Sequence, residues 1–282
     1  MKKRILLVVA VFLGFAAYAQ DAAEMINKAN EALKANKFAE AFELYDKAMA
    51  NLGDVQVDKA INFNIGFAAM QAEKNEAALG YFDKAIEAGA NVAKCYEFKG
   101  AVYNKLKDYP NALASYEKGL ELSEEKPGAL LLNAAVTAYR LEQFEKAVKY
   151  FDLAYLAGFK AEDALLNKAM AQKKMNNEEG YKQTLMVGAE KFPANKKITG
   201  ALANAYVLEG NALYKDGVEV LNAANKKVTE GTLKTDEDAY KTAVDKAKAE
   251  FKKAMEVLDL AIKLDPENQN AKKLIEACNQ VK

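Results

Sequence analysis

Histidine and tryptophan are both absent from this chain. Without histidine there can be no Ser-His or Cys-His nucleophile pair and no histidine metal site. Cysteine is down to Cys95 and Cys278, which gives no disulfide framework and no CxxC. No P-loop occurs, and no GxGxxG follows a strand pattern. Charge of one sign is also missing in excess. Lys+Arg and Asp+Glu both number 40, so no overall field favours nucleic acid or an anionic membrane. The carboxylates alternate with lysines, as in Glu117-Lys118 and Glu145-Lys146, which is the pattern of a solvated helix face rather than of acid–base chemistry. The composition therefore excludes most enzyme classes, and a non-enzyme without metal or cofactor is expected.

What the chain has is helical periodicity, clearest over 93–126. Tyr96, Gly100 and Tyr103 share one face of a first helix; Tyr109, Ala112, Tyr116 and Gly119 share one face of a second. A tight turn is expected at Lys107-Asp108, and Pro110 stands at the start of the second helix, where a missing N–H costs least. Gly100 and Ala112 are small where the helices would cross. Neither helix can bury its face alone, so the hairpin needs stacked neighbours. They are present as copies at a 34-residue period. Residues 59–92 place Asn62, Gly66, Ala69, Ala78, Phe82 and Ala85 in the matching positions. Residues 128–161 supply Leu131, Ala135, Ala138, Phe144, Ala147, Phe151 and Ala154. Residues 162–195 supply Leu165, Ala169, Gln172, Leu185, Gly188 and Pro193, and 22–55 supply Ala29, Phe38, Ala41, Tyr45 and Ala48.

Helix pairs of 34 residues, small at positions 8, 20 and 27 and often aromatic near 17 and 24, resemble the tetratricopeptide repeat of secreted or periplasmic bacterial type. Tyr96, Leu131 and Leu165 stand where the family usually has tryptophan, and Tyr181 stands where the fifth copy should be small. The resemblance implies an all-α, right-handed solenoid of helix-turn-helix repeats. Within such a stack the two cysteines lie too far apart for a disulfide, which needs Cα atoms within about 7 Å.

The ends depart from the repeat. Met1-Lys2-Lys3-Arg4, the apolar run from Ile5 to Ala16 and Ala17-Tyr18-Ala19 have the layout of a signal peptide over residues 1–19. Its removal would leave 37 basic against 40 acidic residues and no integral membrane span. A periplasmic or secreted protein of a Gram-negative envelope is expected. Five repeats then fill 20–195, and a sixth, with both helices lengthened into a hairpin, fills 196–267. A C-terminal capping helix is expected over 268–282, with Leu274, Ile275 and Cys278 turned inward. The hairpin turn is expected at 229–232, and the spacing of Thr235-Asp236-Glu237-Asp238 fits a capping box. Val218, Leu221, Val228, Tyr240 and Val244 form two apolar stripes. Either the hairpin buries them within itself, or a partner or a second copy of the chain covers them, giving a homo-oligomer.

In the resembled family the inner groove is lined by the first helix of each repeat. The matching residues here include Asn27 and Asn30; Phe63, Asn64, Phe67 and Met70; Lys94 and Phe98; Asn133, Val136, Tyr139 and Arg140; and Asn167 and Met170. Asn recurs at one register position as Asn27, Asn64, Asn133 and Asn167. An amide donates and accepts, so it can pair with a peptide backbone or a sugar hydroxyl; alternatively these amides bond within the repeats. The phenyl rings likewise offer an apolar binding surface or pack between adjacent first helices. Family members that grip a C-terminal carboxylate use two lysines, two asparagines and an arginine. Asn30, Asn64 and Lys94 match, but Ile26 and Phe98 replace a lysine and the arginine, so the bidentate fork is lost. The resemblance implies a scaffold for a protein or peptide partner, acting through the groove or the hairpin. The alternative is a carrier of a small apolar or glycan ligand.

Overall fold

The computed structural model describes residues 21–52 and 56–280. The segment expected to be a signal peptide, residues 1–19, lies outside them, as does Gln20. Among the described residues the chain is helical without strands: α1 (helical over 21–34), α2 (Phe38–Ala50), α3 (Ile61–Gln71), α4 (Asn75–Glu87), α5 (Val92–Lys105), α6 (Tyr109–Leu122), α7 (Gly128–Arg140) and α8 (Phe144–Leu156), then α9 (Ala161–Lys174), α10 (Glu178–Lys191), α11 (Lys196–Thr229), α12 (Asp238–Leu264) and α13 (Gln269–Gln280). They divide into two compact units, Met1–Phe159 and Lys160–Lys282.

In the first unit the helices pair as antiparallel hairpins. The core forms where a large side chain of a second helix enters a gap left by a small residue on the first. Phe82 packs against Gly66 and Tyr116 against Gly100. It is the Tyr116 ring that fills the space at Gly100, while Ala112 is buried beside it. Tyr45 and Phe151 hold the same register position and are likewise buried. The turn between paired helices is the same in every hairpin of this unit. Asn36, Glu73, Lys107 and Glu142 adopt positive φ of 58°, 62°, 61° and 58°. Beyond each, an N–H donates back to a carbonyl five residues earlier, as from Asp108 to Tyr103 at 2.9 Å, which closes a Schellman turn. Asp108 caps α6 by accepting from the Asn111 N–H, and Pro110 sits in the first turn.

The second unit opens with one more such hairpin, α9 and α10, with Asn176 at φ 56° in the turn. Then come α11, of 34 residues, and α12, of 27, joined by a turn in which Gly231 has φ 71°. Small residues recur every seven positions on both helices: Ala203, Gly210, Gly217 and Ala224 on α11, and Ala247, Ala254 and Ala261 on α12. A seven-residue repeat keeps one seam facing its partner. Leu258 packs into the gap at Gly210 and Phe251 into that at Gly217.

One expectation is corrected here, the start of α12, and one alternative for the hairpin is seen in the packing. The apolar stripes of the hairpin face each other, with Ala224 and Ala247 buried and Val218, Leu221, Val228 and Val244 half-buried. Further along, the Tyr240 hydroxyl donates to Asn225 Oδ1 at 2.9 Å. The hairpin thus covers part of its own stripe. The capping-box start at Thr235 is also displaced: α12 begins at Asp238, and the Glu237 carboxylate reaches back to accept from the Lys234 N–H at 3.0 Å. The last helix, α13, buries Ala271 and Cys278 and half-buries Leu274 and Ile275. Cys95 and Cys278 are both free and buried.

Candidate functional site

In the first unit the first helices of successive hairpins meet through the residues expected to line the groove. Asn30 of α1 and Asn64 of α3 share a cavity of about 420 Å³ with Ile26, Asp58, Ile61 and Asn91. Asn30 Oδ1 accepts from the Tyr45 hydroxyl at 2.5 Å, which leaves its amide N–H groups for another partner. Burial pushes the Tyr45 phenol up to about 12, so it remains a donor. The Asn64 side chain makes no hydrogen bond among the described residues, nor do the exposed Asn27 and Asn133 side chains.

Next along the row, α3 and α5 meet through phenyl rings. Phe98 lies 5.8 Å from Phe63 and 5.3 Å from Phe67 between centroids, and Phe67 lies 5.9 Å from Phe38 in an edge-on arrangement. All four rings are half-buried. They therefore pack between adjacent helices and still present part of their surface. Met70 packs on the cluster centred on Phe82. Lys94 pairs with Glu97 at 2.7 Å and lies 5.3 Å over the Phe98 ring, so its charge is already met.

Arg140 of α7 reaches back to α5. Its guanidinium donates to Asn104 Oδ1 at 2.8 Å and lies 5.2 Å over the Tyr109 ring. Tyr139 packs edge-on against Phe144, with centroids 5.4 Å apart, and Val136 is half-buried. In the second unit, Met170 is exposed, while Asn167 donates to the Asp163 carbonyl of its own helix at 2.8 Å. The asparagines at one register position thus have two fates: Asn167 is spent on its own helix, whereas Asn27, Asn64 and Asn133 are not.

Two participants were not expected from the sequence, Tyr109 and Asn91. Asn104 falls at a groove position by register, but its bond to Arg140, 36 positions away, and the stacking of Arg140 over Tyr109 follow from no local pattern. Asn91 reaches the Asn30–Asn64 cavity because a positive φ of 50° turns the chain into α5 there. Among the described residues no group of three or more Cys, Asp or Glu side chains could hold a metal ion, and no helix is long and apolar enough to cross a membrane.

Helix hairpins of one geometry, each with a small residue receiving a large one, define an all-α repeat fold. Residues 93–126 match the family model of the tetratricopeptide repeat. A TPR repeat-containing protein of Methanocaldococcus jannaschii is 26% identical over 132 residues, 46% of this chain; the chain spans 22% of the length of that relative. Among solved structures, the fold is similar to a tetratricopeptide repeat protein from Parabacteroides merdae, with TM-score 0.52 and 18% identity over 92% of this chain and 99% of that one. It is also similar to MamA AMB-1, with TM-score 0.51 and 16% identity over 62% of this chain and 92% of that one. These likenesses support the tetratricopeptide repeat family and show its fold.

Proposed function

We propose that this chain is a non-enzymatic scaffold of the cell envelope that holds a partner polypeptide along the first helices of its N-terminal unit. Tetratricopeptide repeats serve in general as protein-interaction scaffolds, which supports the class but names no partner. The observation that carries the reading is the row itself. Unpartnered amides at Asn27, Asn64 and Asn133 flank half-exposed rings at Phe63, Phe67 and Phe98. An extended peptide needs both: amides for its backbone, and apolar surface for alternate side chains. The nearby cations are already engaged, Lys94 by Glu97 and Arg140 by Asn104, so the row suits an uncharged stretch of chain.

A photo-crosslinking residue placed at Phe67 should form polypeptide adducts in envelope preparations, and the same residue at the exposed Glu43 of α2 should not. Equal labelling from both positions would count against the row. The second reading, a carrier of a small apolar or glycan ligand, is favoured by the Asn30–Asn64–Asn91 cavity, whose amides suit hydroxyl groups. Sugar or lipid co-purifying with the chain, and lost from an Asn64→Leu variant, would select it. Export rests on the charged start and apolar run before residue 20. Its test is the mature N-terminus, expected at Gln20 or Asp21 by mass spectrometry of envelope protein; an intact Met1 would end it.

A further inference from the structure

The Asn30–Asn64 cavity is continuous with the row of rings, because α3 carries Asn64 on the one and Phe63 and Phe67 on the other. Its polar groups are not interchangeable. Asn30 Oδ1 accepts from the hydroxyl of Tyr45, which is fully buried, so the fold fixes this amide with its N–H groups free. Asp58 is the opposite in kind. Its Oδ1 accepts from the Ala60 N–H at 2.8 Å, at the start of α3, where a helix N-terminus favours a negative charge. Its Oδ2 has no hydrogen-bond partner among the described residues. The cavity thus offers a committed donor at Asn30 and a committed acceptor at Asp58, with the unpaired Asn64 and the apolar side chains of Ile26 and Ile61 in the same wall.

That combination selects among side chains. A carboxylate brings only acceptors and is repelled by Asp58, and no cation lines the cavity among the described residues. An ammonium or guanidinium brings only donors, which the Asn30 N–H groups cannot meet. An aliphatic side chain meets neither group. A primary carboxamide brings one of each: its oxygen accepts from Asn30 Nδ2, and its NH2 donates to Asp58 Oδ2. A sugar also donates and accepts, but among the described residues no aromatic ring lines the cavity for its C–H face to stack on.

We propose that the cavity receives a glutamine or asparagine side chain of the polypeptide held along the row, and so sets the partner's sequence at that position. This rests on the peptide reading of the row. The methylene stem of the side chain lies against Ile26 and Ile61, and its polar tip meets Asn30 and Asp58. Asn64, which both donates and accepts, pairs with the peptide backbone as the chain leaves the cavity for the rings of Phe63 and Phe67.

The test uses the full chain and follows the side-chain amide signals of Asn30 and Asn64 by NMR. Acetyl-Gln-N-methylamide should shift both, and acetyl-Glu-N-methylamide should shift neither. Asn30→Asp keeps the acceptor for Tyr45 but turns the free donor into an acceptor, so the Gln probe, read at Asn64, should bind about tenfold more weakly. Asp58→Asn does the reverse: one atom still accepts from Ala60, and the free atom becomes a donor. The Glu probe should then shift Asn64, while the Gln probe weakens about tenfold. A merely structural role for Asp58 would not exchange the two probes. No shift from the Gln probe, equal shifts from the Glu probe in the unaltered chain, or unchanged Gln affinity in both variants would overturn the subsite; polypeptide adducts at Phe67 in that case would leave the row standing without it. Absence of adducts at Phe67 would remove the peptide reading, and the assignment to a partner polypeptide with it. Methyl glucoside binding more tightly than the Gln probe would overturn the carboxamide in favour of a hydroxyl ligand.

Discussion

Gly100 and Tyr116 are in such close contact that a methyl group on Gly100 would sit 2.5 Å from two carbons of the tyrosine ring. The ring is 1% exposed and packed from all sides, so it cannot withdraw cheaply. Gly100→Leu should therefore destabilise the protein by about 1–3 kcal/mol or more. Chemical denaturation would measure it, and an unchanged midpoint would show that the α5–α6 crossing is looser than described.

Glu142 is held at φ 58° in the α7–α8 turn, and its exposed side chain makes no hydrogen bond or ion pair among the described residues. A left-handed conformation costs an ordinary residue about 1–2 kcal/mol, while glycine loses about 0.5–1 kcal/mol of backbone entropy relative to alanine. Glu142→Gly should raise the unfolding free energy by a few tenths to about 1 kcal/mol. A lower denaturation midpoint would contradict it.

Arg140 joins α7 to α5 through Asn104 and stacks over Tyr109. Lysine cannot present a planar fork to both. A double-mutant cycle of Arg140→Lys with Asn104→Ala should give a coupling of about 0.5–1 kcal/mol, the range for exposed charged contacts. Additive effects would mean that the contact contributes nothing to stability.

The distal hairpin covers part of its own apolar stripe, and Gly217 lies against Phe251 at its base. Removing Val218 to Glu250 and joining the ends with an Asn-Gly turn should leave a folded protein in the same oligomeric state, as read by light scattering. A change in oligomeric state would give the hairpin a role in self-association.

Burial pushes the Cys95 thiol from 9.0 up to about 11. Burial also raises the Tyr45, Tyr81 and Tyr150 phenols from 10.0 to about 12, the last two with help from Asp46 and Glu117, to which their hydroxyls donate. Each group holds its proton more tightly when folded. The stability linked to Cys95 is thus complete below pH 9 and lost as the pH rises to about 11; that linked to the phenols is lost between about 10 and 12. Denaturation midpoints should fall from pH 9 upward and more steeply above 10. A flat profile to pH 11 would mean that these groups ionise freely in the folded state.

Burial was legible in advance because it is periodic along the chain. The large residue at position 24 and the small one at position 8 are visible as Phe82 with Gly66 and Tyr116 with Gly100, and they meet in the structure. The lengthened first helix expected in the sixth repeat is likewise present as α11, of 34 residues. The candidate groove was legible only as a set of register positions. A position does not say whether an amide is engaged: Asn167 bonds its own helix and Asn64 does not.

The amino-acid sequence by itself determined the helices, their pairing and the faces they bury, since each depends on side-chain size and polarity at fixed local spacing. Tertiary structure alone decided the left-handed turns at Glu73, Lys107 and Glu142, residue types with no preference for that conformation. It also decided the Arg140–Asn104 bond and the cavity that Asn30, Asn64 and Asn91 share. Each of these depends on distances between atoms on different helices, which form only once the hairpins have packed and which no periodicity along the chain encodes.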